Sequence, residues 1–160
     1  MKKFTLSLNM SLSLMVCMVC MAFSLRLDVD SQAAFLNKIL NKHHDGSSSA
    51  DRIKRYELNI TNTGFCRYKR FLVNGKVEYF SFNLIKFKDI DFYGTEQKGK
   101  LYMRTTGDDV IVQTYNDKKF GDIDSMASYM YIPLKDIKVQ DLVDISDRMI
   151  KVHAQLLAQK

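Results

Sequence analysis

The sequence predicts a mainly β protein of the α+β class, with about seven antiparallel strands in a roll or small barrel and an amphipathic helix at the carboxyl end. Between about residues 55 and 134, runs that alternate apolar and polar residues recur between turn residues, which is the period of half-buried strands. A helical period then continues almost to the end of the chain. With 160 residues, of which 46% are hydrophobic and 26% charged, the chain has the size and composition of one globular domain.

The first 24 residues are predicted to be a secretory signal peptide. Lys2 and Lys3 precede an uncharged run at about residues 10–25, which is the order of a basic region and an apolar region in such peptides. The small residues Ala22 and Ser24 fit the pattern of a cleavage site, so we expect cleavage after Ser24, with cleavage after Ala22 as the second choice. The mature protein is then expected in the periplasm or outside the cell.

Two alternatives would keep the protein at a membrane. The apolar run has about 15 residues, fewer than the roughly 20 that span a bilayer, which disfavours an uncleaved anchor. Lipidation at Cys17 or Cys20 would give a lipoprotein, but a valine stands before each of them where a small residue is normally found. If the peptide is removed whole, Cys66 is the only cysteine left, and we expect it to be a buried strand residue without a disulfide.

Residues 25–51 are predicted to form a short helix and a flexible joint ahead of the β-rich domain at residues 52–160. Ser31 can cap an amphipathic helix that reaches about His43, because apolar residues recur on one helical face. Residues 44–50 then contain a glycine and three serines, which is typical of a mobile connection.

A hairpin is predicted around Asn74 and Gly75, because Asn-Gly between two β-rich runs favours a two-residue type I′ turn. The cross-strand pairs expected from that turn are Val73–Lys76, Phe71–Glu78, Lys69–Phe80 and Arg67–Phe82. The resulting face mixes cations with aromatic rings. Either a bulge shifts the register or the cationic side chains lie across the rings.

Further strands are predicted at about residues 55–60, 85–93, 100–106, 110–115 and 127–134, with a longer loop at residues 116–125. Their spacing predicts an antiparallel meander. The terminal helix is predicted from about Val139 to Ala158, with one apolar stripe that we expect to pack on the sheet. The stripe consists of Leu142, Ile145, Met149, Val152 and Leu156. By element order alone, the chain resembles a pleckstrin-homology-like roll, and a lipocalin-like barrel would give nearly the same order.

Residues with catalytic potential are few, and no metal or cofactor is predicted. His43 and His44 stand beside Asp45, but adjacent histidines in a loop lack the preset geometry of a metal site. Asp89 and Asp91 are one residue apart on a predicted strand, which places two carboxylates on one face about 7 Å apart. That spacing suits acid and base chemistry, although it also arises by chance on a polar strand face.

The charge of the chain does not indicate a nucleic-acid partner. The formal net charge is +6, and Lys2 and Lys3 account for two of these charges, so the mature chain carries +4. Arg67 and Lys69 point to the same side of a strand, where a solvated face is a simpler interpretation than an anion site.

Three functions stay open at this stage. The first is an exported, non-enzymatic binding or interaction module that uses a sheet face or strand edges for a protein or peptide partner. The second is a carrier of a small apolar ligand in a cavity lined by aromatic side chains, and the third, ranked last, is an enzyme that uses Asp89 and Asp91. The residues predicted for a ligand or partner surface are Arg67, Lys69, Phe71, Phe80, Phe82, Tyr129 and Tyr131.

Overall fold

The structure is a computed structural model that describes residues 28–47 and 52–159, together with residue 15. Apart from residue 15, the predicted signal peptide lies outside the described residues. None of the helices in the described part of the chain has the length and apolarity required to cross a membrane.

Two helices and eight strands make up the described chain. Helix α1 covers residues 28–43. The strands are β1 Ile53–Ile60, β2 Phe65–Leu72, β3 Val77–Asn83, β4 Phe87–Gly94, β5 Lys98–Thr105, β6 Val110–Tyr115, β7 Ile123–Ala127 and β8 Tyr129–Lys135, with a short 3-10 helix at Leu84–Lys86. Helix α2 covers Val139–Ala158, the range that its apolar period predicted.

The strands form two antiparallel sheets, which confirms a mainly β fold with a carboxyl-terminal helix. The first sheet has the order β1-β2-β3-β6-β7, and the second has the order β4-β5-β8. The predicted meander is wrong, because β3 pairs with β6 while β4 and β5 leave to build the second sheet. The described strands do not close into a barrel.

The register of the β2–β3 hairpin differs by one residue from the prediction. Phe71 lies opposite Val77 and Lys69 lies opposite Tyr79. The loop holds three residues instead of two, and Gly75 alone supplies the positive φ, at 90°. This geometry is that of a turn followed by a glycine bulge, which moves every following pair by one position.

Helix α1 belongs to the same core as the sheets. Its Leu36 and Leu40 are fully buried and join the apolar cluster formed with both sheets and α2. The first residues of the predicted joint are also held in place, since His44 and Asp45 are buried and the backbone N–H of Asp45 donates to the carbonyl of Pro133 at 2.9 Å. Residues 48–50 of that joint lie outside the described residues.

Helix α2 packs through the stripe that the sequence predicts. Ile145, Met149 and Val152 are fully buried, and Leu156 is nearly so. Burying a side chain of this size stabilises the fold by about 1.5 to 3 kcal/mol. The helix also contacts α1, because the guanidinium of Arg148 lies 3.7 Å from the centre of the Phe35 ring.

One residue carries the chain from the first sheet to the second. Ser128 separates β7 from β8. The carbonyl of Ser128 accepts two hydrogen bonds from Thr105, one from the backbone N–H at 2.9 Å and one from the side-chain hydroxyl at 3.1 Å. Thr105 is buried at the end of β5. The corner is therefore fixed to the central strand of the second sheet.

Candidate binding face

Alternation along the strands gives the second sheet two different faces. One face packs against the helices and is wholly apolar at its centre. Its most buried side chains are Leu101, Met103, Met130, Ile132 and Leu134, each 2% exposed or less. The residues between them point to the opposite face, since neighbouring side chains on a strand point to opposite sides.

This opposite face is rich in tyrosine. Its residues come from the three strands and lie close together because the strands are paired in register. We define the tyrosine face as Asp89, Asp91, Tyr93, Lys100, Tyr102, Arg104, Tyr129 and Tyr131.

Tyr102 is the centre of the aromatic cluster. Its ring centroid lies 5.2 Å from that of Tyr93, 5.6 Å from that of Tyr129 and 5.5 Å from that of Tyr131. The Tyr93 pair is edge-to-face at 85°, and the other two pairs are tilted, which are the arrangements that aromatic quadrupoles favour. Tyr93 and Tyr129 are 57% and 47% exposed, so the cluster faces solvent.

Arg104 is held beside these rings by three groups. Its guanidinium donates to Asp89 at 2.8 Å, to Asp91, and to the hydroxyl of Tyr93 at 3.2 Å. These bonds raise the pKa of the guanidinium above its ordinary value. A shallow depression of about 260 Å³ lies among Tyr93, Tyr102, Arg104 and Tyr129.

Asp89 and Asp91 do share one face, as their spacing predicts, but they act there as one clamp. Each carboxylate contacts the guanidinium of Arg104. This cation therefore lies where a substrate would have to approach the two carboxylates for acid and base chemistry. The arrangement fixes the position of Arg104 and gives one oxygen of each carboxylate a charged partner.

No family model matches this chain, and neither a curated protein nor a solved structure matches it. The tyrosine face must therefore be judged by its own chemistry. Sequence reasoning identified Tyr129 and Tyr131 but missed Tyr93, Tyr102 and Arg104. The signal for Tyr102 and Arg104 was the alternation at residues 100–104, where two cations and a tyrosine are separated by Leu101 and Met103.

The predicted surface residues of β2 lie elsewhere, on the outer face of the first sheet. Arg67 lies over the ring of Phe65 at 5.3 Å, and Lys69 and Arg55 lie over the ring of Phe71 at 5.2 and 4.0 Å. The cationic side chains therefore do lie across aromatic rings here, in addition to the shift in register. They are brought together with Phe71 but not with the tyrosine face.

The predicted phenylalanines of β3 point inward. Phe82 is 2% exposed and belongs to the core, whereas Phe80 lies partly buried beside Tyr68, with 6.3 Å between ring centroids. Five aromatic residues were expected to line a carrier cavity, and they occupy three separate places: Phe71, the pair Phe80 and Phe82, and the pair Tyr129 and Tyr131. One open cavity of about 490 Å³ lies at the start of α1 and the end of α2, with none of these five residues in its lining.

Arg70 joins the first sheet to the tyrosine face. It is 5% exposed and lies 5.2 Å from the ring centres of both Phe80 and Tyr131. It donates to Glu78, and to the hydroxyl of Tyr131 at 3.2 Å. The edge of the tyrosine face at Tyr131 is therefore supported from below by a buried ion pair.

The two adjacent histidines are structural in their contacts. His44 stacks on Tyr56 with 3.5 Å between ring centroids and shares a 2.8 Å hydrogen bond with the hydroxyl of Tyr68, and burial lowers the pKa of its imidazole to about 4. His43 contacts the carbonyl of Lys135 through Nδ1 at 3.1 Å. Within the described ranges, no group of three histidine, cysteine or acidic side chains is placed to hold a metal.

Cys66 is fully buried, which raises the pKa of its thiol to about 12.

Proposed function

We propose that this protein is an exported, non-enzymatic binding module that holds an extended, proline-rich peptide segment on the tyrosine face. The observation that carries the proposal is the cluster in which Tyr102 contacts three other tyrosines beside a clamped arginine, on a sheet face that the described residues leave largely open. Tyrosine and arginine dominate the energetics of binding surfaces. Tyrosine offers a large contact area with few rotatable bonds, so little conformational entropy is lost on binding.

The balance of hydrogen-bonding groups favours a peptide of this kind. The ammonium of Lys100 and the guanidinium of Arg104 only donate, and the hydroxyls of Tyr102 and Tyr129 can donate, whereas one oxygen of each carboxylate of the face already accepts from Arg104. A ligand that mainly accepts is therefore the best match. A proline-rich segment in the polyproline II conformation presents carbonyl groups and lacks N–H donors at each proline.

The shape of the face supports the same class of ligand. Edge-to-face and tilted rings leave ridges with shallow grooves between them, and proline-rich segments dock into grooves lined by aromatic side chains. A polyproline II helix is also ordered before it binds, which lowers the entropic cost of association.

A glycan is the competing ligand for an exposed tyrosine platform. Sugar hydroxyls donate as often as they accept, so a glycan needs acceptors on the protein. Arg104 already engages one oxygen of each carboxylate of the face, which leaves fewer acceptors for sugar hydroxyls, and for this reason we rank a glycan second.

The test is a titration of the full chain with a fluorescently labelled decaproline peptide, read by anisotropy. We expect Tyr102→Ala to weaken binding by about 10- to 100-fold, the range of an interface residue at the centre of a contact. Tyr115→Ala is the matched control, because Tyr115 is 36% exposed on the first sheet and should leave binding unchanged.

Two results would count against the proposal. Equal affinity in Tyr102→Ala and in the unchanged protein would place the peptide elsewhere. Binding of a β-linked glucose hexamer in preference to decaproline would identify the face as a glycan platform.

A further inference from the structure

Helix α2 carries a second apolar stripe that the described part of the chain leaves exposed. Val139, Val143, Ile150 and Leu157 are 62%, 46%, 53% and 48% exposed. The last three are seven residues apart, so they lie on one line along the helix, and Val139 lies one turn before Val143. A surface helix of a domain needs only one apolar stripe for its own core, and here the buried stripe already serves that purpose.

The remaining side of α2 is occupied by helix α1. Arg148 donates to Gln32 at 2.6 Å, and Lys151 contacts Asp28 at 3.1 Å. The polar residues of α2 are thus used largely within the chain. The arc that faces solvent between α1 and β4 is mostly apolar, with the small residues Ser146 and Ala154 between the larger ones.

The exposed stripe continues into an apolar groove at the edge of the second sheet. The groove has a volume of about 190 Å³. Its lining consists of Ile90, Asp91, Phe92, Leu101, Val139, Leu142, Val143 and Ser146. The sheet edge at β4 and the helix therefore offer one joined apolar surface, on the side of the sheet opposite the tyrosine face.

We propose that this stripe is the interface of a homodimer, in which α2 packs antiparallel against α2 of a second copy about a twofold axis near Ile150. In that arrangement Ile150 meets its own copy, Val143 meets Leu157 of the second copy, and Ser146 meets Ala154. Large residues then pair with large ones, while the small pair allows the helices to approach each other closely. The surface is complementary to itself, as a twofold interface requires.

The charges beside the stripe favour the antiparallel arrangement over the parallel one. Asp144 and Asp147 lie in the first half of α2, and Lys151 lies in the second half. An antiparallel pair brings Asp147 near Lys151 of the second copy, whereas a parallel pair places each aspartate beside its own copy. The antiparallel arrangement also opposes the two helix dipoles.

The length of α2 is sufficient for such an interface. Its 20 residues span about 30 Å. Contact along this length, with Leu157 entering the groove of the other copy at each end, corresponds to the lower limit of specific interfaces, about 1,200 Å² in total. We therefore expect a dimer that forms at micromolar concentrations.

Sedimentation of the full chain tests whether the dimer exists and where its interface lies. We expect the unchanged protein to be dimeric at micromolar concentrations and Ile150→Lys to raise the dissociation constant by about 100-fold or more, while the variant remains folded as a monomer. Met126→Lys is the control, because Met126 is 55% exposed on β7 and far from the stripe in sequence. A monomer in the unchanged protein, or a dimer that persists in Ile150→Lys, would overturn the proposal.

Cysteine cross-linking tests the orientation. A mixture of Val143→Cys and Leu157→Cys proteins should form more covalent dimer on mild oxidation than either variant alone or the unchanged chain, which has cysteines of its own. Stronger cross-linking of Val143→Cys with itself would refute the antiparallel arrangement.

Discussion

The two faces of the second sheet are built from the same three strands, yet they have opposite properties. The helix-facing side holds apolar side chains that are almost fully buried, such as Met103 and Ile132. The tyrosine face holds hydroxyls and charges, with Tyr129 nearly half exposed. Strand alternation thus separates the residues that stabilise the fold from those available for recognition, and each set can change with limited effect on the other.

The largest expected effect comes from breaking the helix-facing side. Ile132→Ala removes a fully buried side chain from the central cluster, so it should lower the free energy of unfolding by about 2 to 5 kcal/mol. The urea midpoint measures this loss. A change below about 1 kcal/mol would mean that the helix-facing side contributes little more to fold stability than the tyrosine face does.

Acid should destabilise the protein through His44, whose ring contacts Tyr56 and Tyr68 of the first sheet. Its pKa in the folded protein is about 4, below the ordinary value of 6.5, so folding favours the neutral ring. The contribution is complete above pH 6.5 and is lost as the pH falls towards 4, by about 2 kcal/mol after allowance for screening by solvent.

Unfolding in urea at several pH values checks this expectation. His44→Phe keeps a ring against Tyr56 and removes the titrating group, so its stability should vary less between pH 6.5 and 4. Equal slopes in the two proteins over that range would assign the acid sensitivity to other groups.

The hairpin glycine of the first sheet provides a reference outside both faces. Gly75 has a φ of 90° and no atom within 4 Å of the place where a Cβ would stand, so Gly75→Val meets only the cost of its backbone conformation. We expect a loss of about 1 to 2 kcal/mol in the urea midpoint experiment. An unchanged midpoint would show that the loop relaxes to another turn at no cost.

The smallest effect on stability is expected on the tyrosine face. Tyr129→Ala removes a ring that is nearly half exposed and contacts one aromatic partner at 5.6 Å, so the free energy of unfolding should fall by about 0.5 to 1 kcal/mol. Thermal melting measures this change. A loss comparable with that of Ile132→Ala would remove the distinction between the two faces.

Local patterns in the sequence predicted much of the fold. The terminal helix and its buried stripe follow from a spacing of three and four residues, and most strands follow from alternation. The prediction missed β7, because Ile123–Ala127 is exposed along most of its length and shows no half-buried pattern. It also missed the β3–β6 pairing, since contacts across the intervening β4 and β5 leave no local signal.

The sequence predicted only part of the tyrosine face, because the rest of it also depends on strand pairing. Tyr129 and Tyr131 stood out as alternate residues of one strand, whereas their neighbours on β4 and β5 depend on which strands pair. The shift in the hairpin register had a local origin instead, because the glycine bulge at Gly75 changed which β3 residue lies opposite each β2 residue. Long-range pairing and single-residue bulges are what the sequence did not reveal.

The corner at Ser128 has a mechanical consequence. With a single residue between β7 and β8, the chain has no slack where it crosses from one sheet to the other, and two hydrogen bonds from Thr105 hold the crossing in place. The corner therefore cannot serve as a hinge, and a pull on β7 is transmitted directly to Tyr129, the first residue of β8. An inserted residue would turn every following side chain of β8 to the opposite face, so this crossing should tolerate insertions far less than the loop before β7 does.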